Sequence, residues 1–235
     1  MITTDALGSL EFSSPEEEWI EYGPPGERTR VPFHDYAAIY AVPGLYERAF
    51  YEGLGMCSAR VVCELYANAL RTLGRPAAGE RVLDLGAGNG IGGQELRETV
   101  GVAEVVGADL EPAAERAAER DRPGIYAQYA TADLGERPEV LDELGEVSAV
   151  VACSAIGAGH IGLDLLTAIV TRAVRPGGLL AFAVADGLVP DFLDELAPRV
   201  GGEQVVDAID YVHRRQTDGT PHRARAVCWR VDPAG

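Results

Sequence analysis

The chain has 235 residues, 47% of them apolar, with 20 basic against 37 acidic residues and a formal net charge of −17. A field of that sign repels polyanions and offers no general basic face, which excludes nucleic acid as an expected partner. No apolar run approaches the roughly 20 residues of a membrane span, and the acidic start is unlike a secretion signal, so a soluble cytoplasmic protein is expected, monomeric or homodimeric.

All 20 basic residues are arginine. Without lysine there is no Schiff-base chemistry and no P-loop lysine. Cys57, Cys63, Cys153 and Cys228 form no C-x-x-C pair, so neither a metal site nor a disulfide framework is indicated.

Residues 1–30 lack a sustained period and contain "SSPEEE" and "YGPPGERTR", which read as an arm or flap. Residues 31–73 carry apolar positions at helical spacing, broken by Pro43 and Gly55, and read as a helical cap over a substrate site. From residue 74 to 235 the chain alternates short apolar runs with amphipathic stretches. "RVLDL", "EVVGADL", "IYAQYA", "VSAVVA" and "LLAFAVA" read as buried strands separated by helices, the pattern of a parallel sheet covered on both faces. The end differs: "EQVVDAIDYVHRR" and "HRARAVCWRV" flank a hairpin turn at Asp218-Gly219, so the final strand runs antiparallel.

In such a sheet ligands lie at the carboxyl ends of the strands. The first strand ends in "DLGAGNG", where Gly86, Gly88 and Gly90 expose bare backbone ahead of a helix start. Asp109 ends the second strand 21 residues after Gly88, the spacing at which a carboxylate accepts both hydroxyls of a ribose. A nucleoside ligand follows, with Leu110 flanking the base and Asp133, at the third strand end, facing an adenine amine or capping the helix that follows. Ile91 occupies the position of the third glycine of a dinucleotide motif, and Asp84 would oppose a pyrophosphate. Both favour a sulfonium cofactor over a nicotinamide one.

In order and spacing, "VLDLGAGNG", "VVGADLEP", "ATADL", "VSAVVACSAIGAG" and "AVRPGGLLAFAV" resemble the successive motifs of class I S-adenosylmethionine-dependent methyltransferases, over roughly Glu80 to Val231. The resemblance implies a Rossmann-like, doubly wound α/β fold with a mostly parallel seven-stranded sheet in the order 3-2-1-4-5-7-6, the last strand antiparallel, plus the amino-terminal cap. It implies S-adenosylmethionine as cofactor and S-adenosylhomocysteine as product. Asp84, Gly86, Ala87, Gly88 and Gly90 would border the methionine part, Asp109 and Leu110 the ribose and base, Ala132, Asp133 and Leu134 the adenine, and Cys153 and Ser154 the floor beside the sulfonium. The cap and the "ACSAIGAGHI" loop are similar to members acting on small molecules, so the expected acceptor is a small organic molecule of specialised metabolism, methylated on oxygen ahead of nitrogen. No N/D-P-P-Y/F signature follows the fourth strand.

Methyl transfer is an in-line displacement that needs alignment more than acid–base chemistry. His160 in the loop after the fourth strand and His34 beside Asp35 on the cap are the candidate catalytic bases. Tyr36 and Tyr40 are expected to contact cofactor or substrate, while Trp19, Tyr46 and Tyr51 add aromatic surface ahead of the core. His213 and His222 read as solvent-exposed strand-end residues. A rival reading is a member of the same fold that binds the cofactor without transferring methyl, and a more distant one is a nicotinamide-dependent oxidoreductase.

Overall fold

The computed structural model describes residues 7–157 and 160–232. The alternating segments form one sheet in the order β10-β11-β8-β7-β4-β5-β6. Its centre is β4 (Arg81–Leu85), flanked by β5 (Glu104–Asp109) and β7 (Val147–Ala152), with β6 (Gln128–Thr131) and β8 (Val174–Ala185) outside them, all parallel. Then β11 (Pro221–Arg230) pairs antiparallel with both β8 and β10 (Ile209–Arg215), and the two-residue β9 (Glu203–Gln204) pairs with β11. Taken as strands one to seven in chain order, β4, β5, β6, β7, β8, β10 and β11 give 3-2-1-4-5-7-6, as expected.

The strands are apolar on both faces because both are covered. On one side α5 (Val140–Leu144), α6 (Leu163–Ala173) and α7 (Val189–Val200) pack Leu166, Ile169 and Leu196 against Phe182 and Val150. On the other lie α2 (Ser58–Thr72) and α3 (Ile91–Gln94), which continues in wider π-helical turns over Glu95–Val100. Between β5 and β6 runs α4 (Pro112–Asp121), whose Glu111 side chain caps its first turn.

Two amino-terminal expectations are corrected. The segment expected as an irregular arm contains β1 (Glu11–Phe12), β2 (Trp19–Tyr22) and β3 (Thr29–Pro32), a three-stranded antiparallel sheet. Its Ile20, Val31 and Phe33 share a small core with Ile39, Leu45 and Phe50, and those contacts order a segment with little periodicity of its own. The cap proper is α1 (Tyr36–Ala41) and a π-helical stretch, Glu47–Gly53. The second correction concerns α2, expected as part of a lid. Val62, Leu65, Tyr66, Ala69 and Leu70 are buried against the main sheet. At roughly 1.5–3 kcal/mol for each large side chain, lifting this helix would cost far more than a lid motion supplies.

Candidate cofactor and acceptor site

At the carboxyl ends of β4, β5, β6 and β7 opens a cavity of about 790 Å³, roofed by α1 and closed at its far end by the β10–β11 hairpin. Its floor begins at Gly86, whose φ of +71° is open to glycine and where a Cβ would stand 2.4 Å from that of Ala155. The Gly86 and Ala87 amides both donate to the Ala108 carbonyl, which ties the turn to β5. One residue on, the Gly88 amide donates to Asp109 Oδ2 at 2.8 Å, while Asp109 Oδ1 accepts the Glu111 amide at 2.9 Å. Burial pushes the Asp109 carboxyl up and these amides oppose the shift. Each oxygen retains a second lone pair for a ligand hydroxyl.

The glycine turn is clamped from both sides. Tyr129 donates to the Gly88 carbonyl at 2.9 Å, and Arg122 donates to the Asn89 carbonyl at 3.0 Å. From the cap, Glu47 Oε1 accepts from Asn89 Nδ2 and from Arg122 Nη1, each at 2.9 Å. A Cβ on Gly88 would lie 2.6 Å from the Tyr40 hydroxyl, so this cap tyrosine rests on bare backbone. Arg120 holds it there by donating to the Tyr40 carbonyl at 3.0 Å.

Of the residues expected at the cofactor, Gly86, Asp109, Leu110, Ala132, Asp133, Leu134, Cys153, Ser154, Tyr36 and Tyr40 line the cavity. Leu110 is 66% exposed, an apolar surface facing into the opening. Asp133 Oδ1 accepts the Gly135 amide at 2.8 Å, so the capping alternative is realised even as the residue lines the cavity. The Cys153 thiol is pushed up by its contact with Cys63 and by burial, which keeps it protonated.

Asp84, Ala87, Gly88 and Gly90 do not line the cavity. Asp84, 2% exposed, sits beneath the turn and accepts from the Tyr126 hydroxyl at 2.7 Å. Burial pushes its carboxyl up to about 6 against the pull of that hydrogen bond. There it fastens the turn from below through Tyr126.

All four histidines of the chain line this one cavity. His34 and His160 lie with ring centres 6.1 Å apart, and the loop carrying His160 includes residues 158 and 159, which fall outside the described residues. Burial and the neighbouring His34 lower the His160 pKa, leaving a neutral imidazole at pH 7. His213 and His222, expected at the solvent-exposed strand ends, are corrected to half-buried wall residues. Their rings meet edge to face at 5.6 Å. His213 Nδ1 lies 2.5 Å from Ser58 Oγ, which is also 2.6 Å from the Tyr211 hydroxyl, and burial lowers the His213 pKa to about 4. Arg214 and Arg223 complete that wall. Sequence reasoning missed Tyr126, Tyr129, Arg122, Ser58 and these two arginines; only the local clustering "YVHRR" and "HRAR" hinted at a polar surface on the hairpin. Among the described residues no group of three or more His, Cys, Asp or Glu side chains is arranged to hold a metal ion, and no helix is long and apolar enough to cross a membrane.

The cavity fits an adenosine-bearing sulfonium. Bare backbone at Gly86, an apolar Leu110 and two carboxylates stand at one end, and among the described residues that line it no arginine lies at that end to neutralise a pyrophosphate. Comparison with known proteins agrees. Residues 82–178 match the family model described as a methyltransferase domain. A putative RNA methyltransferase from Pyrococcus horikoshii shares 15% identity over 74% of this chain and 83% of its own, with a TM-score of 0.56. A structure described for the conversion of a disulfide bond into a thioacetal group during echinomycin biosynthesis shares 22% identity over 71% and 81%, with a TM-score of 0.52. A Thermoplasma acidophilum protein shares 17% over 74% and 85%, with a TM-score of 0.52. At these identities the likeness is one of fold. No curated protein matches the sequence at a significant level. Over residues 82–178, from β4 to the start of β8, the chain therefore carries a methyltransferase domain, set in a sheet of the order described above.

Proposed function

We propose that the protein methylates an oxygen, and secondarily a nitrogen, of a small organic acceptor of specialised metabolism. The observation that carries this reading is the shared chamber: the strand-end residues and the histidine- and tyrosine-rich walls of the cap and hairpin border one roofed cavity. A roof of that kind suits a molecule that can be enclosed better than a polymer that must pass through, and the −17 charge disfavours nucleic acid.

Bound S-adenosylmethionine supplies an electrophilic methyl group on a sulfonium. In this reading the free lone pairs of Asp109 accept the ribose hydroxyls, Leu110, Ala132 and Leu134 flank the base, and Asp133 accepts from the adenine amine. Gly86 lets the amino-acid tail lie on main chain beside Cys153 and Ser154. Tyr36 and Tyr40 exclude water from above. His160, neutral at pH 7, accepts the proton released by an acceptor hydroxyl, and His34 stands beside it. The four free thiols support a reducing compartment such as the cytoplasm.

Calorimetric titration with S-adenosylmethionine tests the cofactor half, and no binding to the folded protein sinks it. Release of S-adenosylhomocysteine in the presence of phenols, hydroxy acids, amines or bulk tRNA tests the acceptor half. Turnover with tRNA alone would overturn the small-molecule reading, and binding without turnover on any class would favour a non-methylating role.

A further inference from the structure

We propose that the hairpin end of the cavity, where Arg214 and Arg223 stand beside His213 and His222, receives an anionic group of the acceptor, a carboxylate or a phosphate. This rests on the reading of the opposite end as the cofactor's and adds the charge of the second reactant.

The hairpin register sets Arg214 opposite His222 and Arg223 opposite Val212, and these two arginines and both histidines border the same cavity as Gly86 and Asp109. Most arginines of the chain are held by a carboxylate, and Arg214 and Arg223 are the two arginines among the described residues that border the cavity. On the same hairpin Asp210 holds Arg225 with both oxygens, at 2.6 and 2.9 Å, and Glu203 holds Arg230 at 2.6 Å. Among the described residues neither the Arg214 nor the Arg223 guanidinium makes an ion pair or hydrogen bond. Arg223 lies within the field of Asp210, but that carboxylate is held by Arg225.

Arg214 is also half-buried, and a partly desolvated guanidinium with five donors and no acceptor is costly until an anion arrives. A carboxylate or phosphate matches that planar fork in two parallel hydrogen bonds. The positive potential is felt within the chamber: burial lowers the His213 and His222 pKa values and Arg214 adds to that shift, while on the Tyr36 phenol Arg214 opposes the upward push of burial. Both imidazoles therefore remain neutral at pH 7, and the positive charge of this wall belongs to the guanidiniums. The opposite wall is acidic, with Asp35, Asp109, Glu111 and Asp133. A chamber polarised in this way orients an acceptor that is acidic at one end: its anion lies on the hairpin and its nucleophile points toward the strand ends.

The test is calorimetric titration of the full chain, with and without saturating S-adenosylhomocysteine, using benzoate, phenyl phosphate, benzyl alcohol and benzylamine as probes. One or both anions bind saturably and more tightly than the alcohol or the amine, and which of them does so identifies the group. Arg214→Gln together with Arg223→Gln weakens anion binding at least about tenfold, as expected for lost charge-assisted hydrogen bonds. It leaves S-adenosylhomocysteine affinity unchanged, which also shows that the variant is folded. Arg71→Gln, on the last turn of α2, serves as control. If neither anion outbinds benzyl alcohol, or if the double variant binds the anion as wild type does, the proposal is overturned. If the wild type ignores S-adenosylhomocysteine but the arginines still govern anion binding, the cofactor reading fails while the anion site on the hairpin stands.

Discussion

Asp109 accepts the Gly88 amide at 2.8 Å, so the acid ending β5 and the bare turn after β4 form one hydrogen-bonded unit. Replacing Asp109 with alanine strands two amides, those of Gly88 and Glu111, and is expected to cost about 1–3 kcal/mol of stability. Asp109→Asn retains an acceptor oxygen and loses less. Both weaken S-adenosylhomocysteine binding by at least about tenfold, one charge-assisted hydrogen bond's worth. Urea unfolding and titration on the same samples separate the two effects, and undiminished affinity in the alanine variant would remove Asp109 from the site.

Gly88 has φ of +54° with the Tyr40 hydroxyl lying where a Cβ would go. Gly88→Ala therefore adds a left-handed strain of about 1–2 kcal/mol to a steric clash. Adding Tyr40→Ala to that variant relieves the clash but not the strain, so cofactor affinity recovers in part. Full recovery would mean the backbone conformation carries no cost, and none would mean the contact with Tyr40 is irrelevant.

Asp84 gives a pH signature. Its folded pKa of about 6 lies above the unfolded value near 4. Below pH 4 both states are protonated and the group contributes nothing. Between pH 4 and 6 the unfolded chain ionises first, so stability falls as pH rises, by about 3 kcal/mol, and stays lowered above pH 6. Asp84→Asn removes this fall. Chemical unfolding from pH 4 to 7 checks it, and identical slopes for wild type and variant would contradict a buried, reluctantly ionised carboxyl.

For the base, His160→Gln is expected to slow methylation of a hydroxyl acceptor by about 10²–10⁴ while sparing S-adenosylhomocysteine affinity. His34→Gln, which loses its contact with Glu18 at 3.3 Å, has a smaller effect. Transfer to a neutral amine, which needs little deprotonation before attack, is less affected by either change. Equal losses on both acceptor types would assign His160 to positioning the acceptor.

The main sheet was legible because its strands are short apolar runs between amphipathic helices, and the glycine turn with Asp109 was legible because spacing alone brings them together. The amino-terminal sheet was not: strands of two and four residues carry too little alternation to stand out, and they are ordered by Ile39, Leu45 and Phe50 from later in the chain. The hairpin wall was missed for a similar reason. Ser58 meets His213 across 155 positions of sequence, and a register shift between Val212 and Arg214 on the edge strand lets consecutive residues reach one cavity. The position of Asp84 beneath the turn was not legible, because a motif shows that an acid precedes the turn without showing which side of the backbone it serves.

The roof has a consequence for how such a protein diversifies. Tyr36 and Tyr40 lie over the alanine face of α4, at Ala113, Ala114 and Ala117, and Tyr40 at the same time presses on Gly88. Remodelling this segment therefore moves the contact on the glycine turn as well. The atoms nearest the turn glycines belong to Ala155, Tyr40, Arg122, Ile125 and Tyr126, none of them on the hairpin, so substitutions along that wall leave these contacts in place.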